Sequence, residues 1–399
     1  MRIRIEKGIA NGQIVAPASK SVAHRLLICA GLSEGKSIVR GISDCADVLA
    51  TLDCLNALGV KTLLNGNIVT VYGKNMRNAK PNGYLECRES GSTLRFMVPV
   101  AMLSGNEAVF YGAEGLMSRP MTVFEELFAE KFKKDGDCIY VSGGLKSGEY
   151  ILPGNISSQF ISGLLFALPL SFGDSIIKII PPIESRSYIT LTINALKEFG
   201  VSVTWLDDTT LSVKGNQVFK AADVTVEGDY SGAAFPDALN LFGGKVELLG
   251  LKADSAQGDR VYKECFEQLM KTKATVSIED CPDLAPILFS IAAAKHGGVF
   301  LGTKRLKIKE SDRASTMAKE LRKFGTKVEI SENSVTVTKA DFHAPTEPLY
   351  GHNDHRVVMS LAVLLTLTGG EIEGAEAVNK SYPAFFEDLK ALGIGVEEL

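Results

Sequence analysis

No apolar run in this 399-residue sequence is long enough to cross a membrane. The two longest nearly apolar stretches, 284–294 and 357–368, fall well short of the roughly 20 residues that a membrane-spanning helix requires. Both are interrupted by Ser, Thr or Pro. The first six residues, MRIRIE, alternate like a strand and lack the apolar segment of a signal peptide. We therefore expect a cytoplasmic protein with no membrane partner.

The sequence also lacks a cysteine framework and an excess of positive charge. Its seven cysteines are odd in number, scattered, and never spaced as Cys-x-x-Cys, which argues against disulfide and zinc frameworks. With 43 Lys and Arg against 47 Asp and Glu, the net charge of −4 provides no general attraction for nucleic acid. We expect reduced thiols, no metal and no nucleic-acid partner, so any anion must be bound by local clusters of cations.

One pattern does recur, namely an amphipathic helix, a Gly, and two short strands joined by a polar turn. It occurs at 52–72, 193–213 and 318–337, and a shortened copy ends at Gly393. Candidates for weaker copies are the helices near 124–132 and 265–270, each followed by one short strand, at 138–141 and 274–278. The helix-ending glycines fit the left-handed position that follows a helix. The pattern predicts six α/β units of roughly 67 residues. The boundary between the two halves of the chain, about where three units end, is expected near 227–232. The short region 133–154 predicts that the second unit is trimmed.

Cations lie near predicted helix starts in the first half of the chain. Lys20 and Arg25 follow Ser19, which with Ser21 is a candidate N-cap, and Arg95 follows the hydroxyl-rich turn 89–93. A third hydroxyl-rich helix start lies at 157–159, and Arg119 precedes Pro120. A cation at a helix start is unfavourable by about 0.3–1 kcal/mol unless an anion binds there. Each cluster alone is equally compatible with ordinary capping or a solvated surface.

The second half repeats this arrangement more densely. Charged segments at 305–313, 352–356 and 380–383 each precede a predicted helix, and Asp283 precedes the apolar run 284–294. A solvated helix face would distribute such charges around the helix, so their common placement favours anion binding. His352, Asp354 and His355 lie in one short loop without a further ligand cluster, which argues against a metal site.

In this order, the clusters resemble the enolpyruvyl transferase family, and within it the EPSP synthases. The resemblance is carried by the joint order of motifs between Ser19 and Pro383, which are Ser19-Lys20-Ser21…Arg25, Ser90-Gly91…Arg95, Arg119-Pro120, Ser157-Ser158-Gln159, Ser185…Tyr188, Asp283, Lys309-Glu310-Ser311-Asp312-Arg313, Asn353-Asp354-His355-Arg356 and Lys380-Ser381-Tyr382-Pro383.

The resemblance implies an α/β protein with the two-domain fold of this family, an inside-out α/β barrel. Six βαβαββ-type units are expected, three in each domain, which agrees with the count from the repeat. One domain is expected to comprise 1–15 and 228–399, the other 16–227, with the active site in the cleft between them.

The activity implied by the resemblance is transfer of the enolpyruvyl group of phosphoenolpyruvate (PEP) to the 5-hydroxyl of shikimate 3-phosphate. The reaction releases phosphate by addition and elimination, belongs to the shikimate pathway of aromatic amino acid biosynthesis, and is the target of glyphosate. The resemblance implies no cofactor and no metal, and we expect a monomer.

Site residues are implied by their match to the family motifs. The expected catalytic residues are Asp283, Glu310 and Lys20. Those expected to bind shikimate 3-phosphate are Lys20, Ser21, Arg25, Ser157, Ser158, Gln159, Ser185, Tyr188, Asp283 and Lys309. Those expected to bind PEP are Lys20, Gly91, Arg119, Gln159, Arg313, Arg356 and Lys380.

Three positions depart from the family pattern. Glu89 stands where Asn is common, Ser92 where Thr is common, and Arg305 where Asn is frequent, so Arg305 is given no role. One alternative is a UDP-N-acetylglucosamine enolpyruvyl transferase, but the reactive Cys of that family is missing from 112–119. Another is a non-catalytic binder of phosphorylated metabolites, against which Asp283 and Glu310 argue. A nucleic-acid binder is disfavoured by the net charge and by the few aromatics in the basic clusters.

Overall fold

Two units of the chain fold around separate sets of sheets. The computed structural model describes residues 1–339 and 342–399. One unit comprises Met1–Ser19 and Gly228–Leu399, and the other comprises Lys20–Glu227. None of the helices in these described ranges is long and apolar enough to cross a membrane.

The strands, in chain order, are β1 (Arg2–Ile5), β2 (Asn11–Val15), β3 (Gly35–Arg40), β4 (Lys61–Asn65), β5 (Ile68–Gly73), β6 (Leu85–Glu86), β7 (Ala108–Tyr111), β8 (Phe132–Asp135), β9 (Cys138–Val141), β10 (Glu149–Pro153), β11 (Ser175–Ile180), β12 (Val203–Trp205), β13 (Thr210–Val213), β14 (Asp223–Thr225), β15 (Lys245–Leu249), β16 (Ala274–Ser277), β17 (Gly298–Leu301), β18 (Lys327–Ile330), β19 (Ser334–Thr338), β20 (Leu349–Tyr350), β21 (Gly370–Glu373) and β22 (Val396–Glu398).

The α-helices are α1 (Lys20–Leu32), α2 (Ala46–Ala57), α3 (Gly91–Ala101), α4 (Glu114–Met117), α5 (Thr122–Phe128), α6 (Ser158–Ala167), α7 (Arg186–Glu198), α8 (Tyr230–Ala238), α9 (Tyr262–Lys271), α10 (Ala285–Ala294), α11 (Arg313–Arg322), α12 (His355–Thr368) and α13 (Phe385–Ala391).

Five sheets of the described chain share one arrangement, in which a parallel strand pair continues into an antiparallel pair. Their strand orders are β14-β3-β5-β4, β6-β7-β9-β8, β10-β11-β13-β12, β16-β17-β19-β18 and β20-β21-β1-β22. The sixth sheet consists of the parallel pair β15-β2 alone. This architecture confirms the predicted α/β class with six repeated units, one of which lacks its hairpin.

The predicted glycine helix ends are confirmed. Gly59, Gly200, Gly325 and Gly393 have φ of 85°, 76°, 85° and 85°. This left-handed conformation costs Gly little, and it turns the chain from the helix into the following strand. After α2, α7 and α11 the chain forms the predicted hairpins β4-β5, β12-β13 and β18-β19.

The helix and the short strand expected near 265–278 are present as α9 and β16. They do not complete a further copy of the repeat, because β16 pairs in parallel with β17 and so belongs to the next sheet. In place of a hairpin, the side chain of Asn240 lies beside β15. Its Oδ1 accepts from Val246 N at 2.6 Å and its Nδ2 donates to Val246 O at 2.9 Å. One carboxamide thus satisfies backbone groups that a neighbouring strand would otherwise bond.

The trimmed unit is therefore not the second one. The short region 133–154 still contributes β8 and β9 to a complete four-stranded sheet.

Apolar helices form the interior of each unit. In the unit of residues 1–19 and 228–399, α10 and α12 are buried almost all round, which explains why their sequences are mainly apolar. In the unit of residues 20–227, α3 packs closely on α6 because Gly163 has no side chain. A Cβ at this position would collide with the Arg95 carbonyl. This packing brings the starts of α3 and α6, with their polar residues, together.

Candidate active site

Helix starts position the predicted residues of the unit formed by 1–19 and 228–399. Asp283 lies in the 3-10 turn Pro282–Leu284 directly before α10. Arg313 is the first residue of α11 and Arg356 the second of α12, while Lys380 ends the 3-10 segment Ala375–Lys380. The common placement inferred from the sequence is thus present in the structure.

Asp283 is surrounded by three cations, Lys309, Arg313 and Arg356. Its Oδ1 accepts from Arg313 Nη1 at 2.7 Å and from Lys309 Nζ at 3.1 Å. Its Oδ2 accepts from Arg356 Nη2 at 3.1 Å. Burial alone would raise the pKa of Asp283, but Arg356, Lys309 and Arg313 together hold it well below its usual value. In the absence of substrate this carboxylate is ionised and a weak base.

Arg313 links the two predicted catalytic carboxylates. Besides Asp283, it donates from Nη2 to Glu310 Oε2 at 2.6 Å and from Nε to Asp354 Oδ2 at 2.9 Å. Its side chain is 1% exposed. Although burial opposes the charged form, Asp354, Glu310 and Asp283 raise the pKa of Arg313 well above its ordinary value. Arg313 therefore remains a fixed positive charge between groups suited to proton transfer.

Lys380 is tied to the loop that precedes α12. Its Nζ donates to the Asn353 carbonyl at 2.6 Å. Asn353 and its neighbour His352 have φ of 52° and 50°, in the left-handed region that non-Gly residues rarely adopt. The His352 ring also bonds the buried carboxylate of Glu320, with Nε2 to Oε1 at 2.8 Å. Two contacts thus hold the strained turn that positions Asp354 and Arg356.

Lys20, in the other unit, begins α1 and is also paired. Its Nζ lies 2.8 Å from Asp47 Oδ2, and the two side chains are 12% and 9% exposed. This buried ion pair explains how α1 tolerates a cation in its first turn. Sequence reasoning missed Asp47, which stands in the first turn of α2; the only available signal was an acidic residue at a second helix start.

Arg25 is enclosed by α1 and α7. It donates from Nε to Thr192 Oγ1 at 2.9 Å, from Nη1 to Ser21 O at 2.7 Å, and from Nη2 to Tyr188 O at 3.0 Å. Burial lowers its pKa to about 10, so it still carries its charge at neutral pH. Three of the residues predicted for shikimate 3-phosphate, Ser21, Arg25 and Tyr188, are therefore brought together. Thr192 was not predicted.

The starts of α3 and α6 form a second group in this unit. Arg95 Nη1 donates to Gln159 Oε1 at 2.8 Å. A Cβ added at Gly91 would lie 2.9 Å from Arg119 Nη1 and 3.2 Å from Arg95 Nη1, so Gly at this position lets two guanidinium groups approach the start of α3. Within the described part of the chain, Arg119 Nε is buried without a hydrogen-bond partner. Two cations at a helix start make a site for an anion.

The remaining predicted residues also lie at helix starts. Ser157 is the N-cap of α6, where its side chain accepts from Gln159 N, and Ser158 is the first residue of that helix. Ser185 precedes α7 with φ of 58°, and Tyr188 lies in the first turn. Arg305, left without a role, donates from Nη2 to the Glu279 carbonyl.

Two comparisons with named proteins agree on the family. A family model described as EPSP synthase (3-phosphoshikimate 1-carboxyvinyltransferase) matches residues 6–389. The 3-phosphoshikimate 1-carboxyvinyltransferase of Clostridium kluyveri is 39% identical, over 97% of this chain and 96% of the relative. That of Clostridium beijerinckii is 37% identical, over 98% and 97%.

The fold is similar to that of solved proteins as well. An EPSP synthase structure from Acinetobacter baumannii covers 100% of both chains with a TM-score of 0.80 at 24% identity, a likeness that concerns the fold alone. Together with the family model and the curated relatives, it leads to one conclusion: this chain belongs to the EPSP synthase family.

Proposed function

We propose that the protein transfers the enolpyruvyl group of PEP to the 5-hydroxyl of shikimate 3-phosphate and releases phosphate. Family membership supports this reaction. The observation in this chain that best supports the reaction is the Asp283 carboxylate, which is surrounded by Lys309, Arg313 and Arg356. In a protein that only bound anions, a carboxylate among the cations would compete with the ligand, whereas a protein that moves a proton beside an anionic substrate needs both kinds of group.

Asp283 and Glu310 are assigned the two proton transfers. In the addition step, protonated Glu310 donates to the PEP methylene carbon, and the 5-hydroxyl oxygen attacks the neighbouring carbon while its proton passes to Asp283. In the elimination step, Glu310 takes a proton back from the methyl group, the bond between the central carbon and the phosphate oxygen breaks, and Asp283 returns its proton to the departing phosphate. Arg313 lies 2.7 Å from Asp283 and 2.6 Å from Glu310, which supports their action on one substrate pair.

Anionic substrate is proposed to activate Asp283. Phosphate and carboxylate groups of the substrates compete with Asp283 for Lys309, Arg313 and Arg356. As those cations turn to substrate, their hold on the charged form of Asp283 weakens and its pKa rises. Asp283 thus becomes a stronger base only when substrate is bound.

Each substrate is assigned a group of residues. Lys20 and Gln159 are proposed to contact both substrates. Shikimate 3-phosphate is further assigned to Ser21, Arg25, Ser157, Ser158, Ser185, Tyr188, Asp283 and Lys309. PEP is assigned to Gly91, Arg119, Arg313, Arg356 and Lys380. The buried Nε of Arg119 beside Gly91 supports the PEP group, because it offers a donor to an anion at the start of α3.

Phosphate release from PEP tests the reaction. We expect turnover with shikimate 3-phosphate, background release without an acceptor, and much slower release with UDP-N-acetylglucosamine. Addition of a chelator should leave the rate unchanged, since Lys and Arg side chains are assigned to all the substrate charges. Preference for UDP-N-acetylglucosamine would move the protein to the neighbouring family, and loss of activity with chelator that is restored by a divalent cation would refute the metal-free assignment.

We further propose that the protein acts as a monomer in the cytosol. Every site residue assigned above comes from one chain, and the seven cysteines are free thiols, as suits a reducing compartment. Light scattering of the purified protein, with and without substrates, tests the monomer. A dimer mass at micromolar concentration would contradict it.

A further inference from the structure

Behind the pair of Arg356 and Asp283 lies another carboxylate, Asp259, to which neither the family motifs nor the mechanism above gives a role. It stands in the 3-10 segment Gly258–Val261 that leads into α9. Asp259 is 4% exposed, and its side chain is hydrogen-bonded to that of Ser231. Burial of a carboxylate is costly unless it is hydrogen-bonded or paired, and Asp259 interacts electrostatically with both Asp283 and Arg356.

Ser231 connects Asp259 to Arg356. Asp229 caps α8 by accepting from Ser231 N at 2.8 Å and Gly232 N at 3.1 Å, and these two bonds fix the backbone that carries the hydroxyl. The Ser231 Oγ accepts from Arg356 Nη1. The Ser231 hydroxyl can then donate its proton to Asp259. In that orientation the lone pairs of Ser231 Oγ face the guanidinium group of Arg356.

Ser231 holds Arg356 independently of the Asp283 carboxylate. Arg356 Nη2 contacts Asp283 Oδ2 at 3.1 Å, whereas Nη1 contacts Ser231. If substrate draws Arg356 from the Asp283 carboxylate, as the proposed function requires, its hydrogen bond to Ser231 remains in place. We propose that Asp259 is a positioning residue for PEP binding, which orients the Ser231 hydroxyl so that Arg356 stays in place when substrate displaces Asp283. This inference rests on the proposed function.

Four variants test the chain of contacts, namely Ser231→Ala, Asp259→Ala, Asp259→Asn and the double variant Ser231→Ala/Asp259→Ala. Ser231→Ala and Asp259→Ala should each raise the KM for PEP about tenfold, as expected for loss of a hydrogen bond to a charged group. The KM for shikimate 3-phosphate should stay within about twofold, because Arg356 is assigned to PEP. Asp259→Asn should lose less than Asp259→Ala, since its carboxamide oxygen still accepts from Ser231.

The double variant separates positioning from a general loss of stability. Because Asp259 acts mainly through Ser231, the double variant should raise the KM for PEP by much less than the product of the two single effects. Asp237→Ala is the matched control. Asp237 lies on α8 and accepts from Tyr262 at 2.7 Å and Asn240 at 2.8 Å, so its loss should leave both KM values unchanged.

Several outcomes would overturn the inference. One is a folded Asp259→Ala variant whose KM for PEP stays within about twofold of wild type. Another is an equal increase in the KM values for PEP and for shikimate 3-phosphate. A third is a double variant whose increase in the KM for PEP equals the product of the two single increases. If Asp259→Ala does not fold, the Ser231→Ala and Asp259→Asn variants decide the matter. If the proposed function is wrong, the wild type will show no turnover, and this result is distinct from the outcomes above. It would remove the basis of the proposed reaction and of the positioning role of Asp259.

Discussion

The charged side chains around Asp283 stabilise one another, because each cation there is paired with a carboxylate. Arg313 contacts Asp283, Glu310 and Asp354 with one buried guanidinium, while Lys309 and Arg356 share Asp283. A buried charge that loses its partner is strongly destabilising, so the cations and carboxylates maintain each other while the substrates are absent. Anionic substrates can replace the carboxylates as partners of the same cations, which lets a preassembled site accept charge without a large rearrangement.

Substitution of the two carboxylates should separate chemistry from binding. Asp283→Ala and Glu310→Gln are expected to lower kcat by about 10²–10⁴-fold, as for loss of a proton-transfer group. Affinity for shikimate 3-phosphate should stay within about tenfold, because the cations released from Asp283 remain available to anions. Steady-state kinetics and calorimetry measure the two effects.

Asp312→Asn provides the matched control for Glu310→Gln. Asp312 lies two residues away but caps α11 through Ser315, and in the described structure no hydrogen bond or ion pair joins it to the Arg313 side chain. We expect its kcat to be near that of wild type. Near-normal turnover in both Asp283→Ala and Glu310→Gln would remove these residues from the mechanism.

Asp259 should also affect stability in a pH-dependent way. Burial and the negative charge of Asp283 raise its pKa to about 7. The groups that act on it electrostatically include Asp283, Arg356, Ser231 and Asp229, and it in turn acts on the thiols of Cys265 and Cys281. The folded state therefore binds more protons than the unfolded state above the ordinary Asp pKa of about 3.9. Its contribution to the free energy of unfolding is lost as the pH rises through about 7.

Asp259→Asn removes this titration. Relative to wild type, the variant should become more stable as the pH rises from about 4.5 to about 7.5, since only the wild type must then bury a charge. Urea unfolding across this range measures the difference. A stability difference that does not change with pH would show that Asp259 titrates normally.

Sequence periodicity predicts the structural elements wherever the interactions are local. The glycines at 59, 200 and 325 end their helices as expected, because the left-handed residue and the following hairpin lie within a few positions of one another. Near 265–278 the helix and the strand are present as expected, but the pairing of the strand could not be predicted because its partner is distant in sequence. The alternation at 274–277 fits a strand, but it does not reveal that β16 pairs with β17 instead of forming a hairpin after α9.

Asn240 should protect the edge that the missing hairpin leaves. Asn240→Ala removes both hydrogen bonds to the Val246 backbone and should lower the free energy of unfolding by about 1–3 kcal/mol. The exposed edge of β15 should also favour self-association, as unpaired strand edges do. Urea unfolding and light scattering test the two effects.

Asn67→Ala, at the exposed turn between β4 and β5, is the control and should change neither property. A monomeric Asn240→Ala variant of wild-type stability would contradict the edge-protection role.

At the scale of the whole molecule, the sequence predicts the number of units and the cationic residues better than it predicts their partners. Lys20, Arg25, Arg313 and Arg356 could be identified because cations at helix starts are unusual. Asp47 and Thr192, which hold Lys20 and Arg25, come from other elements and carry no local signal of their own. Only the fold brings these distant residues into contact.

The two units should differ in their ability to fold alone. Residues 20–227 form one continuous segment that supplies all its own strands, including β14 beside β3. The other unit needs both ends of the chain. Its β1 pairs with β21 on one side and β22 on the other, and β2 is the partner of β15. A fragment of residues 228–399 therefore lacks an interior strand of one sheet and half of another.

We expect the 20–227 fragment to unfold cooperatively in urea and the 228–399 fragment to show no cooperative transition. Fusing residues 1–19 to the second fragment through a flexible linker should restore its transition, because the linker returns β1 and β2 to their sheets at a modest cost in loop closure. Circular dichroism and urea titration of the three chains make the comparison. Cooperative unfolding of 228–399 by itself would mean that the apolar helices α10 and α12 suffice to hold that unit, and that the amino-terminal strands only complete its sheets.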